Sequence, residues 1–136
     1  SFSIGNTKGL EYLSDLVMSP GGEVYGLQSF GFDAGNVNPS ASGLLTIDPV
    51  TGTSSPVMLT GDLDMPSSLA FTESGFGGAQ MLITQLGMGA GDKASLLGVD
   101  AAGNITRLIS DLGVDNPVDL QMASGDFSRF GDIAVV

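Results

Sequence analysis

Residues 44–48 read Leu-Leu-Thr-Ile-Asp before a glycine-containing turn, and residues 96–100 read Leu-Leu-Gly-Val-Asp before another. The second copy of this motif follows the first by 52 positions. A second landmark agrees, because the apolar triplets at 16–18, 69–71 and 120–122 are spaced by 53 and 51 positions. Two landmarks that share one period indicate an internal structural repeat of about 51 residues.

Short apolar runs separated by Gly, Pro and Asp turns predict strands in both repeats. We predict four strands in the first repeat, at 15–19, 23–29, 43–48 and 54–60. The equivalent strands of the second repeat are predicted at 67–72, 79–86, 94–100 and 104–110. Two strands of a third repeat are predicted at 118–123 and 131–136, and residues 2–5 are predicted to be an outer strand of an incomplete repeat before the first.

All-strand repeats of this length are typical of β-propeller blades, each of which is a sheet of four antiparallel strands. We therefore predict an all-β, single propeller segment over residues 1–136. It divides into an incomplete blade at 1–10, a blade at 11–63, a blade at 64–114 and a partial blade at 115–136. Because a propeller ring needs about four blades or more, we expect the segment to belong to a larger chain or assembly.

The composition excludes several classes of function. Fifteen acidic against four basic side chains give a net charge of −11, which disfavours nucleic-acid binding. The chain has no cysteine and no histidine, so disulfides, thiolate nucleophiles and the commonest zinc sites are excluded. Because no apolar run approaches the roughly 18 residues of a membrane span, we also predict no membrane-spanning segment.

Two stretches carry a resemblance to a known group of proteins. Residues 18–27, which read MSPGGEVYGL, and residues 44–53, which read LLTIDPVTGT, resemble blades of secreted bacterial propellers of the NHL, gluconolactonase-like and quinoprotein-like kinds. The resemblance implies the propeller fold and an extracellular or periplasmic location. It selects no activity, because propellers include lactonases, dehydrogenases, lectins and scaffolds.

Three carboxylates occupy one equivalent position of the repeat. Glu11, Asp64 and Asp115 each lie five residues before the repeated leucine, at the approach to the predicted innermost strand. If the three converge on a channel, they would suit Ca²⁺, which is bound by oxygen ligands and needs no histidine. The alternative is that Asp64 and Asp115, each two residues before a proline, cap turns with their side chains.

Other candidate sites favour structural roles. Asp48 and Asp100, directly before equivalent turns, are expected to accept backbone N–H bonds there. The glycine-rich stretch 87–93 has neither the spacing of a dinucleotide fingerprint nor that of a P-loop. It aligns with residues 31–42, and we interpret both as hairpin loops.

No combination of nucleophile and base stands out in the sequence. We therefore predict a non-catalytic, secreted or periplasmic propeller module with a structural or protein-interaction role. Its expected partner is another protein or a second copy of itself, and its cofactor is either none or Ca²⁺. The alternative is part of a Ca²⁺-dependent lactonase or esterase in which Glu11, Asp64 and Asp115 hold the ion. A sugar-binding propeller is the weakest possibility, since there are no tryptophans and only two tyrosines.

Overall fold

A computed structural model describes residues 13–29, 31–33, 36–38, 42–72, 78–86, 91–114, 117, 120–122 and 133–135. These residues form twelve β-strands and no α-helix. The strands are β1 (Leu13–Met18), β2 (Val24–Gln28), β3 (Gly31–Asp33), β4 (Asn36–Asn38), β5 (Gly43–Ile47), β6 (Ser54–Pro56), β7 (Pro66–Phe71), β8 (Met81–Gln85), β9 (Ser95–Val99), β10 (Ile105–Ile109), β11 (Leu120–Met122) and β12 (Ile133–Val135).

Eight of these strands make two antiparallel sheets of four strands each. The first sheet has the order β1-β2-β5-β6, and the second sheet has the order β7-β8-β9-β10. The prediction of an all-β chain with two repeats of four antiparallel strands is therefore confirmed, and the sheets do not close on themselves. The strands β11 and β12 form a separate antiparallel pair, which we call the terminal hairpin.

The strand boundaries differ from the prediction in a few places. Strand β1 begins at Leu13, two residues before the predicted start, and β6 ends at Pro56, four residues before the predicted end. The segment 31–42, predicted as a loop, contains the short hairpin of β3 and β4. The predicted strand at 2–5, and residues 87–90 of the predicted loop at 87–93, lie outside the described residues.

The turns that join the strands follow from their sequence. Between β1 and β2, the N–H of Gly22 donates to the carbonyl of Ser19 at 2.9 Å, and Gly22 has a φ of 90° that side chains rarely adopt. The β5–β6 and β9–β10 turns are equivalent to each other in the repeat, and each contains a glycine with positive φ, Gly52 and Gly103. Repeated turn chemistry thus gives the two sheets the same meander.

The main core lies between the two sheets. Leu27 and Leu44 of the first sheet pack against one face of the second sheet. That face contributes five buried side chains, Leu69, Met81, Ile83, Leu97 and Val99. The opposite face of the second sheet forms a smaller cluster of Ala70, Ala79, Leu82 and Leu96. Every residue of β8 and β9 is buried, including the polar Thr84, Gln85 and Ser95, so these central strands are covered on both faces.

The segment after β6 connects the first repeat to the second sheet. The N–H of Thr60 donates to the carbonyl of Gly103 at 3.0 Å, and the N–H of Ile105 donates to Thr60 Oγ1 at 3.2 Å. Leu63, further along the same segment, is buried in the main core. The first strands of successive repeats are neighbours, because β1 contacts β7 and β7 contacts β11.

Candidate functional site

The contact between β1 and β7, which we call the seam, is centred on one carboxylate. Asp15 Oδ2 accepts a hydrogen bond from the N–H of Leu69 at 2.8 Å, and Asp15 Oδ1 accepts one from the N–H of Leu16 at 2.8 Å. Leu16 and Leu69 are equivalent positions of the repeat. A single half-buried side chain therefore binds the same backbone amide in two successive repeats, and its negative charge strengthens both bonds.

A second part of the seam is a shared carbonyl group. The carbonyl of Pro66, the first residue of β7, accepts hydrogen bonds from Ser14 Oγ at 3.1 Å and from Ser29 Oγ. Ser14 Oγ also lies 3.2 Å from the carbonyl of Leu27. The β1–β2 pair thus presents two hydroxyl groups to the start of the next sheet.

The second sheet lacks the carboxylate at the position of Asp15. Ser68 occupies this position, and its Oγ lies 2.5 Å from Thr84 Oγ1 on the neighbouring strand of the same sheet. Ser67 Oγ lies 2.9 Å from the same Thr84 atom. The hydroxyl groups of Ser67 and Ser68 bond within their own sheet. Of the two four-stranded sheets, the first is therefore the one that uses this position to bind the next sheet.

A cavity of about 670 Å³ opens between the two sheets at the end where β1 turns into β2. Its wall includes Tyr25 and Phe71, whose rings meet edge to face with centroids 5.3 Å apart. Glu23 and Asp100 contribute carboxylates to the lining. Glu23 Oε2 accepts a hydrogen bond from Ser19 Oγ at 3.2 Å.

The polar groups of this cavity are used in turns. The N–H of Glu23 donates back to Ser19 Oγ at 3.1 Å, so the contact of Ser19 with Glu23 closes the β1–β2 turn. The Asp100 carboxylate accepts hydrogen bonds from the N–H groups of Ala102 and Asn104 and so closes the β9–β10 turn. The described lining can enclose a small molecule, and three of its polar residues, Ser19, Glu23 and Asp100, hydrogen-bond within the turns that they close.

The predicted turn roles of Asp48 and Asp100 are confirmed. Asp48 Oδ1 accepts the N–H of Val50 at 2.8 Å and that of Thr51 at 3.2 Å, and these bonds lower the pKa of the Asp48 carboxyl. Asp100 binds the side-chain amide of Asn104 at 2.8 Å and its backbone N–H at 2.9 Å. Those two bonds are the main cause of a lowered pKa at Asp100.

The three predicted calcium ligands are only partly described. Asp64 lies in the segment before β7, where its backbone N–H donates to Gln85 Oε1 at 3.0 Å. Glu11 and Asp115 lie outside the described residues. Within the described part of the chain, no three acidic side chains form a group that could hold a metal ion. The calcium site at these three positions stays a prediction.

Sequence reasoning assigned no role to Asp15, although it lies directly before one of the repeated leucines. The available signal was that the position reads Asp, Ser and Asp at residues 15, 68 and 119 of successive repeats. A carboxylate that recurs beside the repeated leucine of an apolar strand is a candidate acceptor of backbone N–H bonds. The strand that donates these N–H bonds is set by how the two sheets pack, and the sequence pattern gives no information on that packing.

Comparisons with protein-family models, with curated proteins and with solved structures found no match to this chain. The relation to the secreted propellers named above therefore remains a resemblance that rests on residues 18–27 and 44–53. Among the described residues, no helix has the length and apolar character needed to cross a membrane.

Proposed function

We propose that this chain is a non-catalytic structural and protein-interaction module of a secreted or periplasmic propeller-type protein. In this module the sheets of successive repeats stack face to face. The observation that carries the proposal is the Asp15 carboxylate, which binds the Leu16 and Leu69 amides across the seam. This half-buried carboxylate therefore contributes to the packing of one sheet on the next.

The core between the sheets supports a stacking role. Leu27 and Leu44 are at most 1% exposed, and they are buried by the neighbouring sheet rather than by their own. Burial of a leucine side chain contributes roughly 1.5–3 kcal/mol. Because Leu27 and Leu44 are buried by contact with the second sheet, the two sheets are expected to fold as one unit.

The order of the strands supports a propeller-type arrangement. In a propeller, every blade is a four-stranded meander and the first strands of the blades lie next to one another around the axis. Here both four-stranded sheets are meanders, and β1, β7 and β11 follow one another as neighbours. Two such sheets and the terminal hairpin do not make a ring, so the proposal includes further sheets from a longer chain or from other chains.

Three of the described carboxylates have structural roles, which favours a non-catalytic function for the chain. Asp15, Asp48 and Asp100 each accept backbone N–H bonds that fix the seam or a turn. No described feature favours the lactonase or esterase alternative. Its ligands Glu11, Asp64 and Asp115 are therefore not part of the proposal.

Asp15→Asn tests the proposed role of the seam. The substitution keeps the size of the side chain but turns one acceptor oxygen into an N–H donor, which then faces a backbone N–H. We expect a loss of about 1–3 kcal/mol in the free energy of unfolding, measured by urea denaturation. Hydrogen exchange of the Leu69 amide should become faster than in the wild type.

The matched control is Asp62→Asn, which removes the same charge from an exposed aspartate outside the seam. It should change the free energy of unfolding by less than about 0.5 kcal/mol. Equal stability of the Asp15→Asn and Asp62→Asn variants, together with unchanged exchange at Leu69, would contradict a stacking role for the seam.

A further inference from the structure

The cavity of about 670 Å³ between the two sheets, which we call the inter-sheet cavity, has walls from both of them. The first sheet supplies Tyr25 of β2 and Leu44 of β5. The second sheet supplies Phe71 of β7 and Met81 of β8. Ligand pockets in proteins usually measure about 300–1,000 Å³ and combine an apolar lining with a few polar groups. The size and the mixed walls of the inter-sheet cavity therefore match a site for a small organic molecule.

The aromatic part of the lining favours a positively charged ligand. Tyr25 and Phe71 are half-buried, and their rings meet edge to face across the boundary between the sheets. The face of an aromatic ring carries a partial negative charge and attracts a cation that lies within about 6 Å of the ring centre. Two rings in one cavity wall can therefore hold an ammonium group and the apolar carbons attached to it.

The charges of the lining favour the same class of ligand. Glu23 and Asp100 supply two carboxylates, and none of the described residues that line the inter-sheet cavity is Lys or Arg. The chain as a whole carries a net charge of −11. Clefts lined by charges of one sign concentrate ligands of the opposite sign. The inter-sheet cavity should therefore attract cations and repel anions of similar size.

The Glu23 carboxylate can accept a further hydrogen bond without opening its turn. Glu23 is exposed, and its Oε2 accepts a hydrogen bond from Ser19 Oγ at 3.2 Å. An ionised carboxylate has about four acceptor positions, so this bond leaves room for an ammonium donor. Asp100 differs, because its carboxylate already accepts three hydrogen bonds in the β9–β10 turn. Glu23 is therefore the group that contacts a bound ammonium, while Asp100 adds to the negative potential.

We propose that the inter-sheet cavity binds a small organic cation that joins an ammonium group to an apolar body. The ammonium group lies against Glu23 and the rings of Tyr25 and Phe71. The apolar body packs on the floor of the inter-sheet cavity, where Leu44 and Met81 are buried in the main core. This binding activity goes beyond the proposed structural role, and it depends only on the packing of the two sheets.

Isothermal titration calorimetry with matched probes is the first test. Phenethylamine is a cation at neutral pH, phenethyl alcohol is its neutral analogue, and phenylpropanoate is an anion of similar size. We expect phenethylamine to bind with a dissociation constant of about 1 mM or lower. It should bind about fivefold more tightly than phenethyl alcohol, and phenylpropanoate should bind most weakly. Raising the NaCl concentration from about 20 mM to about 300 mM should weaken the binding of phenethylamine far more than that of the alcohol.

Glu23→Gln tests the contact with the ammonium group. The substitution removes the charge but keeps a carbonyl oxygen for the Ser19 hydroxyl, so the circular dichroism spectrum and the urea midpoint should stay those of the wild type. The dissociation constant of phenethylamine should rise about threefold, and that of phenethyl alcohol should stay unchanged. Asp62→Asn is the matched control, because it removes one charge from an exposed residue outside the lining. It should change neither dissociation constant.

Nuclear Overhauser effects between phenethylamine and the ring protons of Tyr25 and Phe71 should locate the bound probe. Three results would overturn the inference. Equal affinity for the three probes would exclude a preference for cations. Equal weakening by Glu23→Gln and Asp62→Asn would show that the net charge of the chain attracts the probe, and not a site. Absence of saturable binding, or of contacts with the two rings, would exclude the inter-sheet cavity.

Discussion

The first and second sheets have the same strand order but very different burial. Every residue of β8 and β9 in the second sheet is buried, whereas β1 in the first sheet alternates between half-buried and exposed residues. The repeated leucine is 48% exposed as Leu16 and 3% exposed as Leu69. The comparison shows that the place of a sheet in the stack, and not the residue at an equivalent position, decides how much that residue contributes to stability.

The largest expected difference between the two sheets is at the repeated leucine. Leu69→Ala removes a buried side chain and leaves a cavity, so we expect a loss of about 3 kcal/mol in the free energy of unfolding. Leu16→Ala should cost less than about 1 kcal/mol, because much of the side chain is in water. Urea denaturation at a concentration where the chain is monomeric measures both. Equal losses would show that Leu16 is buried as fully as Leu69 in the monomeric chain.

A smaller difference is expected between two turn glycines. Gly103 in the second sheet has a φ of 84°, and a Cβ there would lie 2.3 Å from the carbonyl oxygen of Met58. Gly22 in the first sheet has a φ of 90° and an added Cβ would meet no atom within 4 Å. We expect Gly103→Ala to cost roughly 2–3 kcal/mol and Gly22→Ala about 1 kcal/mol, from the strained φ alone.

Thermal unfolding of the two glycine variants measures this difference. The extra loss at Gly103 comes from the backbone of the segment after β6, which packs against the β9–β10 turn. If the two variants lose equal stability, that segment does not hold its position against the turn.

The smallest expected effect is the response of the equivalent turns to acid. Hydrogen bonds lower the pKa of Asp48 and Asp100 below the ordinary value of 3.8 in the folded chain. A lowered pKa in the folded state gives stability that is present above pH 3.8 and is lost as the pH falls through the folded-state pKa. The stability difference between wild type and Asp100→Asn should therefore shrink as the pH falls below about 4.

The two turns should respond unequally. The Asp100 carboxylate accepts three hydrogen bonds, one from the Ala102 N–H and two from Asn104, whereas the Asp48 carboxylate accepts two, from the N–H groups of Val50 and Thr51. Asp48→Asn should therefore change the acid response less than Asp100→Asn. Urea midpoints of the three proteins from pH 2.5 to pH 7 measure this order, and a difference that stays constant across the range would contradict the linkage.

The sequence was sufficient to predict the sheets. The alternation of short apolar runs with Gly and Asp turns is a local signal, and it located all eight strands of the two sheets. The turn roles of Asp48 and Asp100 were predictable for the same reason, since their partners lie within four residues. Local hydrogen bonds leave a pattern in the sequence that can be read without the fold.

The seam and the uneven burial could not be predicted in the same way. Asp15 and its donor Leu69 are 54 residues apart, and only the packing of two sheets brings them together. Leu16 and Leu69 are the same residue type in equivalent positions, so composition cannot distinguish their exposures. The hairpin of β3 and β4 was also missed, because strands of three residues are too short to show an alternation.

The long separation of Asp15 and Leu69 has a consequence for the order of folding. The strand pairs of each sheet join residues that are close in sequence, whereas the seam closes a loop of about one whole repeat. Loop closure costs more entropy as the loop lengthens, by about 0.6 kcal/mol for each doubling. Local hairpins therefore form early, and the seam is the non-local contact that raises the contact order and slows folding of the chain.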